Sequence, residues 1–379
     1  MTKNISEKTL QDLEFSSVLK QIAEFCISGL GKQNVLEISP ILTRKGLFKE
    51  LHLVDEYLSS FENENRIPNH GFDNITESVK RLAIENSFIE TDAFLKIATT
   101  SLTVNELIKF FKKFKDLFPT FYDLSQKIEL TTYLDDEIKK IIDISGEVKN
   151  NASSDLKQIR RNINNIRGKI GASFSSALSK SIAAGYLDDI KETVVDNQRV
   201  LAVSAMHRRK VNGSLLGSSK SGNIVYIAPQ ATLAYSREYQ NLVYEEKQEV
   251  IKILRELATT IRPMITLLEE YLVFLIHMDV IGAKAKYAKE INAILPEISK
   301  EKVIYFKNAY HPILWRKNKL QNVKTIAQTI TLNEKQQIIV ISGPNAGGKS
   351  ITLKTIGLLQ LMVQSGILIP VAEHSKTHI

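Results

Sequence analysis

Cysteine appears once in the 379 residues, at Cys26. A single thiol closes no internal disulfide and builds no multi-thiolate metal site, so the chain suits a reducing compartment, with the cytoplasm as the expected location. Only 17 Gly and 9 Pro interrupt this length, which argues against a strand-and-turn architecture and for long helices. Long apolar runs are missing too. The greasiest stretch, Ile356 to Ala372, is broken by Gln360, Gln364, Ser365, Gly366 and Pro370, short of the ~18 consecutive apolar residues of a membrane span. The start, Met1-Thr2-Lys3-Asn4-Ile5-Ser6-Glu7, has no basic cluster followed by an apolar stretch, so no secretory leader is expected. What remains, 43% hydrophobic and 24% charged residues, excludes disorder and collagen-like repeats and suits a globular chain with a sizeable core.

The net charge of +8 is mild, but its distribution is not. Between Glu147 and Pro229 stand thirteen Lys or Arg against six Asp or Glu, a surplus of +7 in less than a quarter of the chain. From Gln230 to Asp279 the balance turns to −3. The basic segment is the candidate polyanion-binding surface, with a solvated helical face as the alternative.

Up to about Leu134, short amphipathic segments alternate with loops; Leu13, Val18, Leu19, Ile22, Phe25 and Cys26 fall on one helical stripe. Asp135, Asp136 and Glu137 suit a helix start, where carboxylates favour the dipole, better than a metal or acid/base cluster. Leu156, Ile159, Ile163, Ile166, Ile170, Phe174 and Leu178 then step by threes and fours, the seam of a coiled-coil-like helix. A second periodic run (Tyr239, Leu242, Val250, Ile253, Leu257, Ile261) ends near Pro263, and the two are expected to pair antiparallel as an arm on the order of 50 Å long. Between them, Thr193-Val194-Val195 and Arg199–Val203 flank Asp196-Asn197-Gln198 as a hairpin, and Asn223–Ala228 reads as another strand. Arg208, Arg209 and Lys210, with Lys220 in Gly217-Ser218-Ser219-Lys220-Ser221-Gly222, are then expected on the loops of a small sheet, where they can reach phosphates without reading bases.

The most specific pattern is Gly343-Pro344-Asn345-Ala346-Gly347-Gly348-Lys349-Ser350, a full GxxxxGK[ST] phosphate-binding loop. Gln337–Ser342 is expected as the buried strand before it and Ile351–Gln364 as the helix after it. Glycines let backbone N–H groups close around the phosphates of ATP, Lys349 reaches the β and γ oxygens, and Ser350 offers a hydroxyl to Mg²⁺. The chain stops about thirty residues beyond the loop, without room for further parallel strands or an acidic residue ordering the Mg²⁺, so the ATPase domain is expected to be incomplete and this chain alone is not expected to hydrolyse ATP.

Gly343–Ser350, continued by Ile351-Thr352-Leu353-Lys354-Thr355-Ile356-Gly357-Leu358-Leu359, resembles the P-loop of the MutS ATPase family, in particular the bacterial paralogue branch associated with recombination control and ribosome rescue. Asn308-Ala309-Tyr310-His311-Pro312-Ile313-Leu314 is similar to the family's Arg-His-Pro segment, with Tyr310 in place of Arg and no catalytic role assigned to His311. Leu13-Glu14-Phe15 with Leu30-Gly31-Lys32 resembles that branch's opening helices, and Asp279-Val280-Ile281-Gly282-Ala283-Lys284-Ala285 the helix returning from its lever. Ser221–Pro229 matches the clamp pattern, with Ala228 where Glu would be expected. The resemblance implies a mainly α fold: a helical core (1–145), a first lever helix (146–192), a small β clamp (193–230), a second lever helix with return to the core (231–300), and the first part of an α/β P-loop ATPase domain (301–379). It implies ATP and Mg²⁺ as cofactors, branched DNA, or a ribosome or other RNA, as partner, and a homodimer in the complete protein. The branch's C-terminal Smr nuclease domain would lie beyond Ile379. The mismatch-reading domains would precede the core, and Phe88-Ile89-Glu90 matches their Phe-x-Glu wedge only by coincidence. A mismatch-repair MutS and a nucleic-acid-binding fragment that uses no ATP are the alternatives; SMC-like chains place their phosphate loop ahead of the arms, not after them.

Overall fold

The computed structural model describes residues 5–342 and 348–379. The chain is mainly α, with two small sheets. Eight helices open it: α1 (Glu7–Asp12), α2 (Phe15–Ala23), α3 (Gly29–Leu36), α4 (Arg44–Ser59), α5 (Thr76–Leu82), α6 (Thr91–Lys113), α7 (Pro119–Ser125) and α8 (Tyr133–Ile141). Their starts are written in the sequence. Ser6, Ser28 and Thr43 stand in extended backbone and accept the N–H three residues on, at 3.1, 2.8 and 3.3 Å. Each thereby satisfies one of the donors a helix start leaves open. Then follow α9 (Ser154–Ala183), β1 (Leu187–Val195), β2 (Gln198–Ser204), a 3₁₀ turn (Ala205–Lys210), β3 (Gly213–Ser218), β4 (Ile224–Pro229), α10 (Gln230–Ile261) and α11 (Ile265–Glu290). The chain finishes with β5 (Glu297–Ser299), β6 (Ile304–Ala309), α12 (Pro312–Leu320), β7 (Gln328–Leu332), α13 (Lys349–Gln364) and β8 (Lys376–His378).

Two compact units result. One takes the chain up to Ala83 with Lys96–Asp135 and Pro263–Ile379; the other takes Ile84–Leu95 with Asp136–Arg262. The first is built around α11, most of which is buried from Met278 to Ala288, with Tyr271, Leu275, Met278, Ile281 and Tyr287 fully enclosed. Gly282 lets α11 approach α4: a Cβ there would lie 3.1 Å from the Tyr57 ring. Asp279, 1% exposed, accepts hydrogen bonds from the N–H of Ile27 (2.8 Å), the N–H of Ser28 (2.9 Å) and the Ser28 hydroxyl (2.7 Å), so a buried carboxylate holds the start of α3. Cys26 is buried nearby. Burial first, then the Asp279 charge, pushes its thiol up to about 12, so it stays protonated and unreactive at neutral pH.

A buried ion pair lies in the same unit. Lys284, 2% exposed, donates to Glu50 Oε1 at 2.7 Å, and His277 Nε2 lies 2.8 Å from Glu50 Oε2. Burial opposes the charged form of Glu50, yet Lys284 and then His277 outweigh it and hold the carboxyl well below the usual range.

The second sheet runs β5-β8-β6-β7, with β5 and β8 parallel and the other pairs antiparallel. It is not the parallel sheet expected around a P-loop strand. Gln337–Ser342, expected as a buried strand, carries no strand structure, and Ile338 and Val340 are each 85% exposed. The physical reason is pairing: an apolar strand interior to a parallel sheet needs neighbours for its backbone groups, and none of the described residues pairs with this segment. The helix after the loop forms as expected and buries Leu358, Leu359, Leu361, Met362 and Val363.

In the second unit α9 and α10 run antiparallel. Ser153, Arg160 and Arg167 of the rising helix meet Glu249, Glu246 and Tyr239 of the returning one. Ile163, Ile166 and Leu242 form the seam, flanked by Ile159, Tyr235 and Tyr239. The expected spacing is thus realised, and α10 ends at Ile261, ahead of Pro263. The first sheet is antiparallel, ordered β1-β2-β4-β3. Its β1–β2 turn has Val195 opposite Gln198 with Asp196 and Asn197 at φ 48° and 59°, the left-handed pair of a two-residue hairpin. Phe174 packs against Leu201, Val203, Val225 and Ile227, anchoring the sheet to α9. The sequence pattern did not disclose β3, so Gly217 and Ser218 lie in a strand and not in the expected loop.

Candidate nucleotide and nucleic-acid sites

Gly343, Pro344, Asn345, Ala346 and Gly347 lie outside the described residues. The described remainder of the motif is a helix start. Gly348 has φ +84°, a left-handed conformation that costs glycine nothing and a side-chain residue about 1 kcal/mol or more, and it caps α13. Lys349 and Ser350 form the first helical turn; the Ser350 side is exposed and Lys349 half-buried. The N–H groups of a helix's first turn have no intrahelical partner, so the start of α13 is the positive end of its dipole. Thr352 is tied back to the Gly348 carbonyl by its N–H and its hydroxyl, both at 3.0 Å, and Thr355 Oγ1 to that of Ile351 at 2.6 Å. The first turns of α13 are therefore held by their own side chains.

Residues far apart in the chain gather beside the same helix. Lys354 Nζ lies 3.6 Å from Glu14 Oε2, and His311 Nε2 lies 3.7 Å from the same oxygen. Glu14 adopts φ +60° between α1 and α2, and Leu13 sits against Gly357 of α13. His311 is 4% exposed, and burial lowers its pKa, so it is neutral at pH 7. No spacing in the sequence joins residues 14, 311 and 354; only folding brings them together.

Arg208, Arg209 and Lys210 are exposed on the 3₁₀ turn after β2, and Lys220 is exposed in the turn between β3 and β4. Ser204 pairs with Ile224, and the Ala205 N–H donates to the Asn223 carbonyl at 2.8 Å. Both basic segments therefore leave the sheet at one end. His207 stacks beside Tyr186, ring centroids 5.2 Å apart, which orients the start of the basic turn. Ala228, in place of the expected Glu, is buried in β4 opposite Ser214. Among the described residues no group of three or more His, Cys, Asp or Glu could hold a metal ion, and no helix is long and apolar enough to cross a membrane.

The described site residues are thus a glycine-capped helix start bearing Lys349 and Ser350, and, in the other unit, an antiparallel helix pair with a small sheet whose loops are basic. No family model matches the chain. It is, however, 31% identical to Endonuclease MutS2 of Enterococcus faecalis, over 98% of this chain and 47% of that protein. It is 30% identical to Endonuclease MutS2 of Lactobacillus helveticus over the same shares, and 28% identical to that of Alkaliphilus oremlandii over 97% of this chain and 46% of that one. The chain is thus similar to these MutS2 proteins, and it spans about half the length of the curated relatives it matches.

Proposed function

We propose that this chain is the nucleotide-sensing and nucleic-acid-gripping part of a MutS2-like protein. ATP with Mg²⁺ is held by Gly343–Ser350, and the loops carrying Arg208, Arg209, Lys210 and Lys220 contact the phosphates of DNA. The observation that carries the reading is the start of α13: the motif's Gly348 caps the helix in a left-handed conformation, and Lys349 and Ser350 follow it directly on the helix. Bound ATP would supply a polyanion for the N–H groups and Lys349, and Mg²⁺ would draw on the Ser350 hydroxyl. Likeness to the MutS2 proteins over nearly the whole chain supports the same reading. On it, the partner is branched DNA or a stalled ribosome, the complete protein is a homodimer, and nucleotide binding is coupled to closure of the clamp. A purely nucleic-acid-binding role without ATP is the second reading, favoured by the exposed basic turn at Ala205–Lys210.

The test is isothermal titration of the chain with ATP and Mg²⁺. Lys349→Ala, which removes a charge-assisted contact to the phosphates, is expected to weaken binding at least ~10-fold. Equal binding by wild type and variant would sink the site, and absence of ATP binding alongside retained DNA binding would leave the second reading.

A further inference from the structure

The second unit carries a cationic trough apart from the basic sheet loops. A hollow of about 660 Å³ runs along α9, lined among others by Lys157, Arg160, Arg161, Asn164 and Arg167, with Glu246 as its acidic member. Arg160 already neutralises that carboxylate: its Nε donates to Glu246 at 2.7 Å, and its Nη1 is used by the Val148 carbonyl and Asn150. Lys157 and Arg161 are exposed, and no ion pair among the described residues engages either. The nearest other carboxylate on this stretch of α9, Asp155, lies 4.0 Å from Lys252.

At Arg167 the trough continues into a second hollow of about 330 Å³ lined by Phe174, Asp196, Asn197 and Arg199. Both of its arginines are held over aromatic rings. The Arg167 guanidinium lies 5.3 Å from the centre of Tyr239 and donates to its hydroxyl at 3.0 Å; that of Arg199 lies 4.3 Å from the centre of Phe174 and is bound to Glu192 at 2.6 Å. A cation fixed on a ring has lost much of its side-chain freedom before a ligand arrives. One face of each ring is thereby taken by a guanidinium and not by a base, so the surface suits a backbone and not a base sequence.

The spacing fits an extended polyanion better than a single phosphate. Lys157, Arg161 and Asn164 stand at i, i+4 and i+7 on one helix face, and Lys157 to Arg167 spans ~15 Å at ~1.5 Å per residue, about four nucleotides at roughly 3.4 Å each. We propose that this trough holds the phosphodiester backbone of one nucleic-acid strand, as a second contact distinct from Arg208, Arg209, Lys210 and Lys220. The proposal rests on the reading of this chain as a nucleic-acid binder.

The test measures fluorescence anisotropy of labelled oligothymidylate, oligouridylate and a DNA duplex with the 379-residue chain, between about 50 and 200 mM salt. The variants compared are Lys157→Ala/Arg161→Ala, Arg208→Ala/Arg209→Ala, and Lys300→Ala/Lys302→Ala, which removes equal charge from the other unit; circular dichroism melts verify that each is folded. The trough variant is expected to lose roughly tenfold in affinity for all three probes and to lower the salt slope by about 1.5 to 2, with Arg161→Lys restoring most of the loss. Unchanged affinity and slope in the trough variant, with loss in Arg208→Ala/Arg209→Ala, would overturn the trough and leave the proposed function standing. Equal loss in the control variant, or an effect confined to one base composition, would also overturn it. Wild-type chain that binds none of the probes even at the lowest salt would overturn both.

Discussion

α10 and α11 follow one another with only a three-residue 3₁₀ turn between them, yet they belong to different physical worlds. α10 buries a narrow stripe (Leu242, Ile253, Leu254, Leu257, Ala258, Ile261, with Thr232) along 32 residues, whereas α11 buries fifteen of its 26. The first is an arm helix that packs one side on α9 and the small sheet, and its stripe reads directly from a period of three and four. The second is enclosed along its C-terminal half, where apolar residues follow one another without a preferred face, and there it must also accommodate Asp279 and Lys284. An arm helix therefore tolerates change on most of its surface, while a core helix depends on partners that arrive from far along the chain.

The largest effect that would break this contrast is in α11. Lys284→Ala leaves Glu50 buried without its main partner and is expected to cost about 3–5 kcal/mol, read as a lowered thermal midpoint of the unit that contains it. The pH dependence follows from the same pair. Glu50 has a folded pKa below its ordinary value, so its contribution is fully present above the unfolded value near ~4.5 and is lost as the pH falls below it. Wild type should lose stability on acidification through that window more steeply than Lys284→Ala; identical acid slopes would mean that the pair does not govern α11. In the arm, Leu242→Ala empties part of a narrow seam at about 2 kcal/mol, and amide hydrogen exchange should quicken in α9 and α10 while α11 keeps its protection. Equal loss of protection in α11 would erase the distinction between the two helices. The smallest change is Tyr239→Phe, which removes the exposed hydroxyl that Arg167 reaches but keeps the ring beneath it; urea unfolding should move by no more than ~0.5 kcal/mol.

The same contrast explains what could be read in the sequence. The helical stripe of Ile163 and Ile166, the β1–β2 hairpin and the helix after Gly348 depend on neighbours within a few residues and stand where the spacing predicts, except that Gln198, expected in the turn, begins β2. Strand β3 was missed because Gly213-Ser214-Leu215-Leu216-Gly217-Ser218 has weak strand propensity and is recruited by pairing with β4. Gln337–Ser342 failed in the opposite sense: strong strand propensity, no partner among the described residues. The basic residues of the second unit were legible as a charge surplus, but their division between the sheet loops and the trough on α9 was not.

By itself, the sequence determined the local grammar of this protein: capped helices, one amphipathic arm, a tight hairpin and a phosphate-loop motif, all set by steric preferences and hydrogen bonds that span a handful of residues. Only the tertiary structure decided that Glu50 meets Lys284 and His277, that Glu14 meets Lys354 and His311, and that Arg167 and Arg199 line one hollow. Those associations join groups tens to hundreds of positions apart, and their energy exists only once burial has removed water and fixed the distance between charges.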